Sequence, residues 1–425
     1  MGWSAQSLVG LVLVIAVCWA FSEDRTRFPW KLAVIALLAQ AGLVLILFGL
    51  PQAQGFLNGV NAAVSALADS TQAGSAFVFG YLAGGASPYP LTDPAASPFL
   101  FAFRVLPVIL VICALSALLW HWKILKVVTR VFGFVFQKTM GLRGPPALAA
   151  AATVFMGQVE GPIFIRSYLA QLTRSELFLL MAVGMSCVSG STMVAYATIL
   201  ASSLPNAAAH VLTASVISAP AGVLLARILV PPGRDEALTP VEAGSDKQYE
   251  SSVDALIKGT GDGLSVVLNV AATLIVFVAV VALADRLLSL LPPIAGAPIS
   301  IERGLGVLFT PLAWAIGVPW HEAPVGGRLL GVKLVLTEFT AFIQLGAIPH
   351  EALSERSRII MTYALCGFAN VASVGINLAG FGVLVPERRA EVQGMVWKAL
   401  LAGFLATCMT AAVVALLPPN LFHGG

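Results

Sequence analysis

The chain has 425 residues, of which only 24 lysines and arginines and 21 aspartates and glutamates carry charge. This is 11% of the residues, where a soluble domain has roughly 25%. The apolar fraction is 58%, so the composition excludes a water-exposed globule. The net charge of +3 is too small to indicate a nucleic-acid partner, and membrane orientation explains where the basic residues cluster.

The uncharged blocks have the lengths of membrane spans. A hydrocarbon core of about 30 Å takes about 20 helical residues to cross, and the apolar runs are continuous rather than alternating, as in spanning helices. The pattern predicts an all-α polytopic membrane protein. Eight transmembrane helices are expected, at Ala5–Phe21, Lys31–Leu50, Pro98–Trp120, Leu177–Leu200, Ala207–Leu229, Gly263–Leu291, Ile359–Val385 and Val396–Leu417.

Positive charge gives the predicted orientation. Arg25, Arg27 and Lys31 lie between the first two spans, and a second basic cluster follows the third span. Because basic loops stay in the cytosol, the N-terminus is expected outside. The stretch Gly55–Gly85 is only moderately apolar and rich in small residues, which favours an interfacial helix. The five cysteines are scattered within apolar stretches, which is typical of packing residues rather than disulfides or metal ligands.

Two apolar segments contain polar residues that a straight spanning helix would not tolerate. Pro145–Leu172 has the polar run Gly157–Pro162 at its middle, and Gly317–Leu345 contains Lys333 and Glu338. Each segment is therefore expected to break, and each precedes a charged turn and a long span. The count of crossings predicts an inverted repeat, the arrangement of secondary transporters whose sites lie where interrupted helices meet.

Two carboxylates lie within these segments. Ionisable groups in hydrocarbon cost roughly 2.5–3.5 kcal/mol each, so Glu160 and Glu338 need partners, water or a ligand. A structural role, in which a carboxylate accepts backbone N–H bonds at a re-entrant tip, is the alternative. Gln158 presents donors and acceptors, which suit a heterocycle edge, whereas Glu338 offers only acceptors, which suit hydroxyl groups. The pattern indicates a site for a polar, uncharged ligand.

The predicted span Ile359–Val385 carries a stripe of polar residues. Asn370 and Ser373 are three residues apart and are expected to share a helix face, which Asn377 continues. Serine and asparagine also form hydrogen bonds between membrane helices, so a packing role for Ser373 remains an alternative. Asn370 has the larger amide, and Phe368 nearby offers an aromatic surface.

Both broken segments and the stretches after them carry distinctive motifs, at Gly157–Arg166, Leu172–Phe178, Gly317–Trp320, Lys333–Phe339 and Cys366–Asn370. These motifs resemble those of the concentrative nucleoside transporters, in their shorter bacterial eight-span form, and the resemblance extends over roughly Pro145–Gly382. It implies a homotrimer in which two re-entrant helical hairpins and the helices after them form a transport domain that moves against a scaffold domain.

The resemblance also implies a substrate site. By this resemblance, the nucleobase would contact Gln158, Val159 and Glu160. The ribose would contact Glu338, Asn370 and Ser373, and Phe368 would line the base pocket. At this site and beside it, the sequence departs from the family at two positions. Val159 stands where the family usually has a hydroxyl residue, and Thr337 stands where it has asparagine.

A coupling-ion site is implied at Thr153, Met156, Cys187 and Val188. Sodium-coupled members have asparagine at the first of these positions and a hydroxyl residue at the third. Sodium prefers hard oxygen ligands, and the thiol of Cys187 is a soft substitute. A proton needs no such shell and can bind Glu160 or Glu338, because intramembrane carboxylates are common proton carriers. Proton coupling is therefore favoured over sodium coupling, with Na⁺ uncertain.

These observations predict an ion-coupled symporter that imports nucleosides across the bacterial inner membrane. One alternative is a transporter of another polar uncharged solute, and a second is a channel. A third is an intramembrane enzyme that uses Glu160 and Glu338 for acid-base chemistry, although the sequence contains no His-Glu-x-x-His motif to support it. The expected division of the chain is an N-terminal scaffold with interfacial helices (1–142), a first transport half (143–229), a hydrophilic cytosolic loop (230–257), a scaffold span (258–300) and a second transport half (301–425).

Overall fold

The computed structural model describes residues 3–86, 100–142, 144–163, 165–233, 249–293, 296 and 298–418. Over these ranges the chain is mostly helical and contains no strand, which confirms the all-α prediction. Phe164 of the first family motif and most of the predicted hydrophilic loop lie outside the described residues.

The N-terminal part of the chain forms six helices. Their bounds are α1 Trp3–Ala20, α2 Trp30–Gly49, α3 Pro51–Phe79, α4 Phe101–Arg104, α5 Leu106–His121 and α6 Ile124–Met140. Helix α3 begins with proline at its first position, where the missing N–H is not needed. Its side chains are largely exposed, with Phe77 91% accessible, and its interfacial position stays a prediction.

The first broken segment consists of α7 (Pro145–Met156) and α8 (Glu160–Ile163). The expected break is confirmed at Gly157–Val159. Gly157 has φ +114°, and a Cβ there would collide with the Glu160 carboxyl group, so the turn requires glycine. The chain folds back after the turn, which brings Gly161 against the side chain of Thr153.

The next three helices are α9 (Arg174–Ser186), α10 (Gly190–Leu200) and α11 (Ala207–Leu229). A capping box at Thr173 starts α9. The predicted span Leu177–Leu200 lies within a stretch that is long and apolar enough to cross a membrane, but this stretch consists of two helices, with an interruption between α9 and α10. The Ser189 side chain caps α10 there, a local competition for backbone bonds that apolar length does not reveal.

Helices α12 (Ser252–Leu288) and α13 (Ile301–Ala315) follow. The predicted loop 230–257 is wrong at its end, because α12 begins well before the expected span. Ser251 caps this helix by accepting from the backbone N–H of Asp254 at 3.1 Å, and a capped polar turn extends a helix beyond the membrane without apolar residues.

The second broken segment consists of α14 (Ala323–Val335) and α15 (Glu338–Ala347), and its break at Leu336–Thr337 confirms the prediction. The chain ends with α16 (Glu355–Leu365), α17 (Val371–Leu384) and α18 (Arg389–Leu416). The predicted span Ile359–Val385 is therefore wrong as one regular helix, since Asn370 caps a new helix inside it.

Six helical stretches in the described ranges are long and apolar enough to cross a membrane, namely Trp30–Gly49, Phe101–His121, Arg174–Leu200, Ala207–Leu229, Ser252–Leu288 and Pro386–Leu416. Helices α9, α11 and α18 lie largely inside the protein, whereas the apolar part of α12 is exposed along its length. The order of elements in α6–α11 recurs in α13–α18: a helix, a broken segment, an interrupted helix and a long buried helix.

Candidate functional site

The carboxylate of Glu338 is held by two donors from other elements. Glu338 is the first residue of α15 and only 5% exposed. Its Oε1 accepts from the Tyr196 hydroxyl of α10 at 2.7 Å, and its Oε2 accepts from Nδ2 of Asn370. Tyr196 is fixed in turn by stacking on Phe342 at 4.3 Å between ring centroids. These two hydrogen bonds thus fix the orientation of the carboxylate group.

The amide of Gln158 is held in a similar way at the other broken segment. Gln158 is 5% exposed, and its Oε1 accepts from Nδ2 of Asn377 at 2.7 Å. The same Asn377 amide lies 3.3 Å from the Ser373 carbonyl. Oδ1 of Asn377 is buried and has no hydrogen-bond partner among the described residues, and a buried acceptor of this kind calls for a donor.

Asn370 caps α17 rather than lying within it. Its Oδ1 accepts from the backbone N–H of Ser373 at 2.8 Å, so the prediction that both share a helix face is wrong for Asn370. The cap leaves Nδ2 directed at Glu338. Ser373 is 2% exposed and lies in the first turn of α17, beside this pair.

The two interrupted helices touch each other at their breaks. The backbone N–H of Phe368 donates to the Cys187 carbonyl at 3.2 Å. Gly367 lies against the α9 end, where an added Cβ would be 2.8 Å from the Ser186 carbonyl oxygen. Glycine at this position therefore allows the two breaks to meet, as expected for a transporter site. Phe368 itself is half-buried.

The remaining predicted site residues lie on the first broken segment. Val159 packs on α17 at Gly380, where an added Cβ would lie 2.6 Å from Val159 Cγ2. Glu160 is exposed. Within the described part of the chain, no hydrogen bond joins its carboxylate to Glu338 or Asn370. The hydrogen bonds of the described residues thus link Gln158, Glu338, Asn370 and Ser373 through α17.

Two of the four residues at the implied sodium position, Thr153 and Cys187, are poor ligands for that ion. The Thr153 hydroxyl is buried and donates to the carbonyl of Ala149 at 2.8 Å. Cys187 offers sulfur rather than oxygen, and its thiol lies 3.5 Å from the Ser215 carbonyl. The Val188 carbonyl, an expected oxygen ligand, already faces the Ser215 hydroxyl at 3.2 Å.

Sequence reasoning missed two polar residues of this region, Tyr196 and Ser215, which each lie within an uncharged block. It placed Asn377 on a polar stripe but gave it no contact with Gln158. The common signal of these residues is a hydrogen-bonding side chain within an apolar helix, which must find a partner when buried. Which partner it finds depends on how the broken segments pack, and this is not encoded in local spacing.

Long apolar helices with a polar site between broken helices define a secondary transporter. Comparison with known families agrees with this class. The family described as "Na+ dependent nucleoside transporter N-terminus" matches residues 9–82, "Nucleoside recognition" matches 102–203, and "Na+ dependent nucleoside transporter C-terminus" matches 210–415.

Relatives match over almost the whole chain. "Uncharacterized transporter YutK" of Bacillus subtilis is 36% identical, covering 96% of this chain and 98% of its own. "Nucleoside permease NupC" of Helicobacter pylori is 32% identical, covering 97% of both. A structure of CNTnw in an inward-facing substrate-bound state superposes with a TM-score of 0.88, at 32% identity over 97% of both chains. The chain belongs to the concentrative nucleoside transporter family.

Proposed function

We propose that this protein is a proton-coupled symporter that imports nucleosides across the bacterial inner membrane. The observation that carries the proposal is the double attachment of α17. Its N-terminal cap, Asn370, holds Glu338 of the second broken segment, and Asn377 holds Gln158 of the first. These anchors are seven positions apart along α17, a rise of roughly 10 Å, so acceptors and amides are presented at opposite ends of one site.

The chemistry at the two ends suits a nucleoside. Glu338 supplies carboxylate oxygens, which accept hydrogen bonds from vicinal hydroxyl groups of a sugar. Gln158 and Asn377 supply amides, and the unpartnered Oδ1 of Asn377 is an acceptor for an exocyclic or ring N–H of a base. Free ribose would contact only Glu338, and a free base would contact only Gln158 and Asn377, so each should bind more weakly than a nucleoside.

The coupling ion follows from the same geometry. Thr153 and Cys187 do not supply the oxygen shell that sodium requires, as described above. Glu160 is the better proton carrier of the two carboxylates, because no side-chain donor among the described residues stabilises its charged form, while both oxygens of Glu338 already accept hydrogen bonds. Proton binding at Glu160 would leave the Glu338 pair intact for the substrate.

Transport would follow an elevator-type cycle. The two broken segments would act as re-entrant hairpins that carry the site past a scaffold formed by the peripheral helices, including the exposed α12. The protein would work as a homotrimer with its N-terminus outside. The Nζ atom of the buried Lys333 donates to the Ala364 carbonyl at 2.8 Å and to Oγ1 of Thr407 at 2.7 Å. These bonds join α14 to α16 and α18, which supports the proposal that the three helices move together.

A counterflow assay in proteoliposomes tests the function. Vesicles preloaded with an unlabelled compound are diluted into labelled nucleoside, using a panel of purine and pyrimidine nucleosides, free bases and ribose. Accumulation that is driven by nucleosides and by neither half alone supports the proposal. Accumulation of an unrelated polar solute instead, or chemical conversion of the nucleoside, would favour the alternative functions.

A further inference from the structure

One buried hydroxyl group lies between the two breaks of the first half. Ser215 of α11 is fully buried. Its Oγ is 3.3 Å from the carbonyl oxygen of Val154 and 3.2 Å from that of Val188. The backbone N–H of Val188 donates to the same Oγ at 3.3 Å. A single side chain therefore binds the end of α7 and the interruption between α9 and α10.

These two carbonyl groups are the kind that a cation would otherwise neutralise. Val154 lies in the last turn of α7, whose carbonyls have no partner further along the helix. Val188 lies in the interruption, outside any helix. Carbonyls at helix C-termini carry partial negative charge, and a cation or a hydrogen-bond donor can satisfy them. Here the donor is part of the chain.

We propose that the Ser215 hydroxyl takes the place of a sodium ion, holding the first broken segment against the α9–α10 interruption so that no sodium is required. This deepens the proposed function and rests on it. The hydroxyl proton is shared by the Val154 and Val188 carbonyls, and an Oγ lone pair is used by the Val188 N–H. Bound sodium would have to share the Val188 oxygen with this donor.

The proposal separates two causes of sodium independence. If the side chains at 153 and 187 alone excluded sodium, Thr153→Asn with Cys187→Ser would create a sodium site. If Ser215 fills the position, that double variant remains insensitive until Ser215→Ala is added. Ser218→Ala is the matched control, because Ser218 is a buried serine one turn along α11 whose hydroxyl pairs with Oγ1 of Thr410 at 3.3 Å instead.

The experiment measures thermal unfolding of the purified full-length protein in detergent, in sodium chloride and in choline chloride at equal concentration. We expect a sodium-specific rise in Tm of about 2 °C or more only in the Thr153→Asn, Cys187→Ser, Ser215→Ala triple variant. A rise of the same size in the double variant, or in the triple variant with Ser218→Ala, would overturn the proposal. So would a sodium-specific rise in the wild type that Ser215→Ala removes, because Ser215 would then be a sodium ligand.

Two further measurements keep the test decisive. Where the triple variant does not purify, Ser215→Gly replaces Ser215→Ala in it, and the absence of a sodium-specific rise from that variant would contradict the proposal. Stabilisation by uridine or adenosine is recorded for every variant. Failure of all nucleosides to stabilise the wild type would count against the proposed function, whereas an unchanged nucleoside shift without a sodium shift counts only against the role of Ser215.

Discussion

Nδ2 of Asn377 donates a 2.7 Å hydrogen bond to Oε1 of Gln158, which joins the middle of α17 to the turn of the first broken segment. Both side chains are buried. Because this bond engages the amide oxygen of Gln158, the orientation of the Gln158 amide group is fixed. Its nitrogen then remains able to donate to a ligand. The pair thus orients a donor and an acceptor side by side, the pattern that a base edge requires.

We expect Gln158→Ala to weaken nucleoside binding about tenfold and to change the ranking among bases, because loss of a preorganised hydrogen bond is worth about 1 kcal/mol or more. Asn377→Ala should weaken binding less, since Gln158 remains in place without its orienting partner. Equilibrium binding to purified protein, with a panel of nucleosides, measures both effects.

The double variant serves as the control for the Gln158 prediction. If the two amides act as a unit, the losses in Gln158→Ala and Asn377→Ala will not add in the double variant. Affinities within twofold of wild type in Gln158→Ala would assign this residue to packing. Ribose should compete poorly in every variant, because the changes lie at the base end of the site.

The helical class, the places of both breaks and most of the polar site residues could be predicted from the sequence. Gly157, Gln158 and Glu160 in an apolar segment conflict with a straight helix, and that conflict is local and visible. The interruptions at Cys187 and Asn370 were missed, because uncharged apolar residues surround them and the capping bonds form only in the folded chain. The partners Tyr196 and Ser215 depend on packing between distant segments, which one sequence does not reveal.

We expect Glu338→Gln to reduce ribonucleoside uptake by roughly 10- to 100-fold or more, since charge-assisted hydrogen bonds are worth about 1.5–3 kcal/mol each. The amide that replaces the carboxylate can accept at only one end, and its NH₂ group would face the Asn370 amide. Initial uptake rates in proteoliposomes, normalised to the amount of folded protein, measure the loss.

Tyr196→Phe is the matched control for Glu338→Gln. It removes one donor to Glu338 while keeping the ring that stacks on Phe342. This variant should raise KM several-fold but retain transport, because Asn370 still holds the carboxylate. Normal kinetics in Glu338→Gln would remove this residue from the site, and equal losses in both variants would show that the Tyr196 hydroxyl itself contacts the substrate.

The loop between α1 and α2 contains a carboxylate with a pH-dependent role. Partial burial favours the neutral form of Glu23, but hydrogen bonds from Arg174 and Lys398 outweigh it and lower the pKa of this carboxyl group. Both nitrogen-to-oxygen distances are 2.9 Å. A carboxyl pKa that is lower in the folded state contributes stability above the unfolded value, about 4.3, and loses it as the pH falls through the folded value.

We therefore expect Glu23→Gln to lower the free energy of unfolding near pH 7 by less than about 1 kcal/mol, because surface pairs are screened by solvent. The difference from wild type should shrink as the pH falls below about 4. Thermal unfolding across this pH range measures it. Glu351→Gln, at an exposed glutamate before α16, is the control, and a constant difference between pH 7 and pH 4 for Glu23→Gln would contradict the ion-pair explanation.

The coupling ion gives the last prediction. Initial nucleoside uptake in sodium-free buffer should rise as the external pH is lowered and should collapse when a protonophore is added, because the proposed cycle carries a proton inward with the substrate.

Glu160→Gln should abolish the stimulation by acid while nucleoside binding at neutral pH persists, since an amide cannot take up a proton and Gln158 and Glu338 remain in place. Glu351→Gln, at an exposed glutamate before α16, should leave the stimulation by acid unchanged. Uptake that saturates with sodium at fixed pH and ignores the protonophore would contradict proton coupling. Loss of all nucleoside binding in Glu160→Gln would instead assign Glu160 to the substrate, and the proton would then have to bind Glu338.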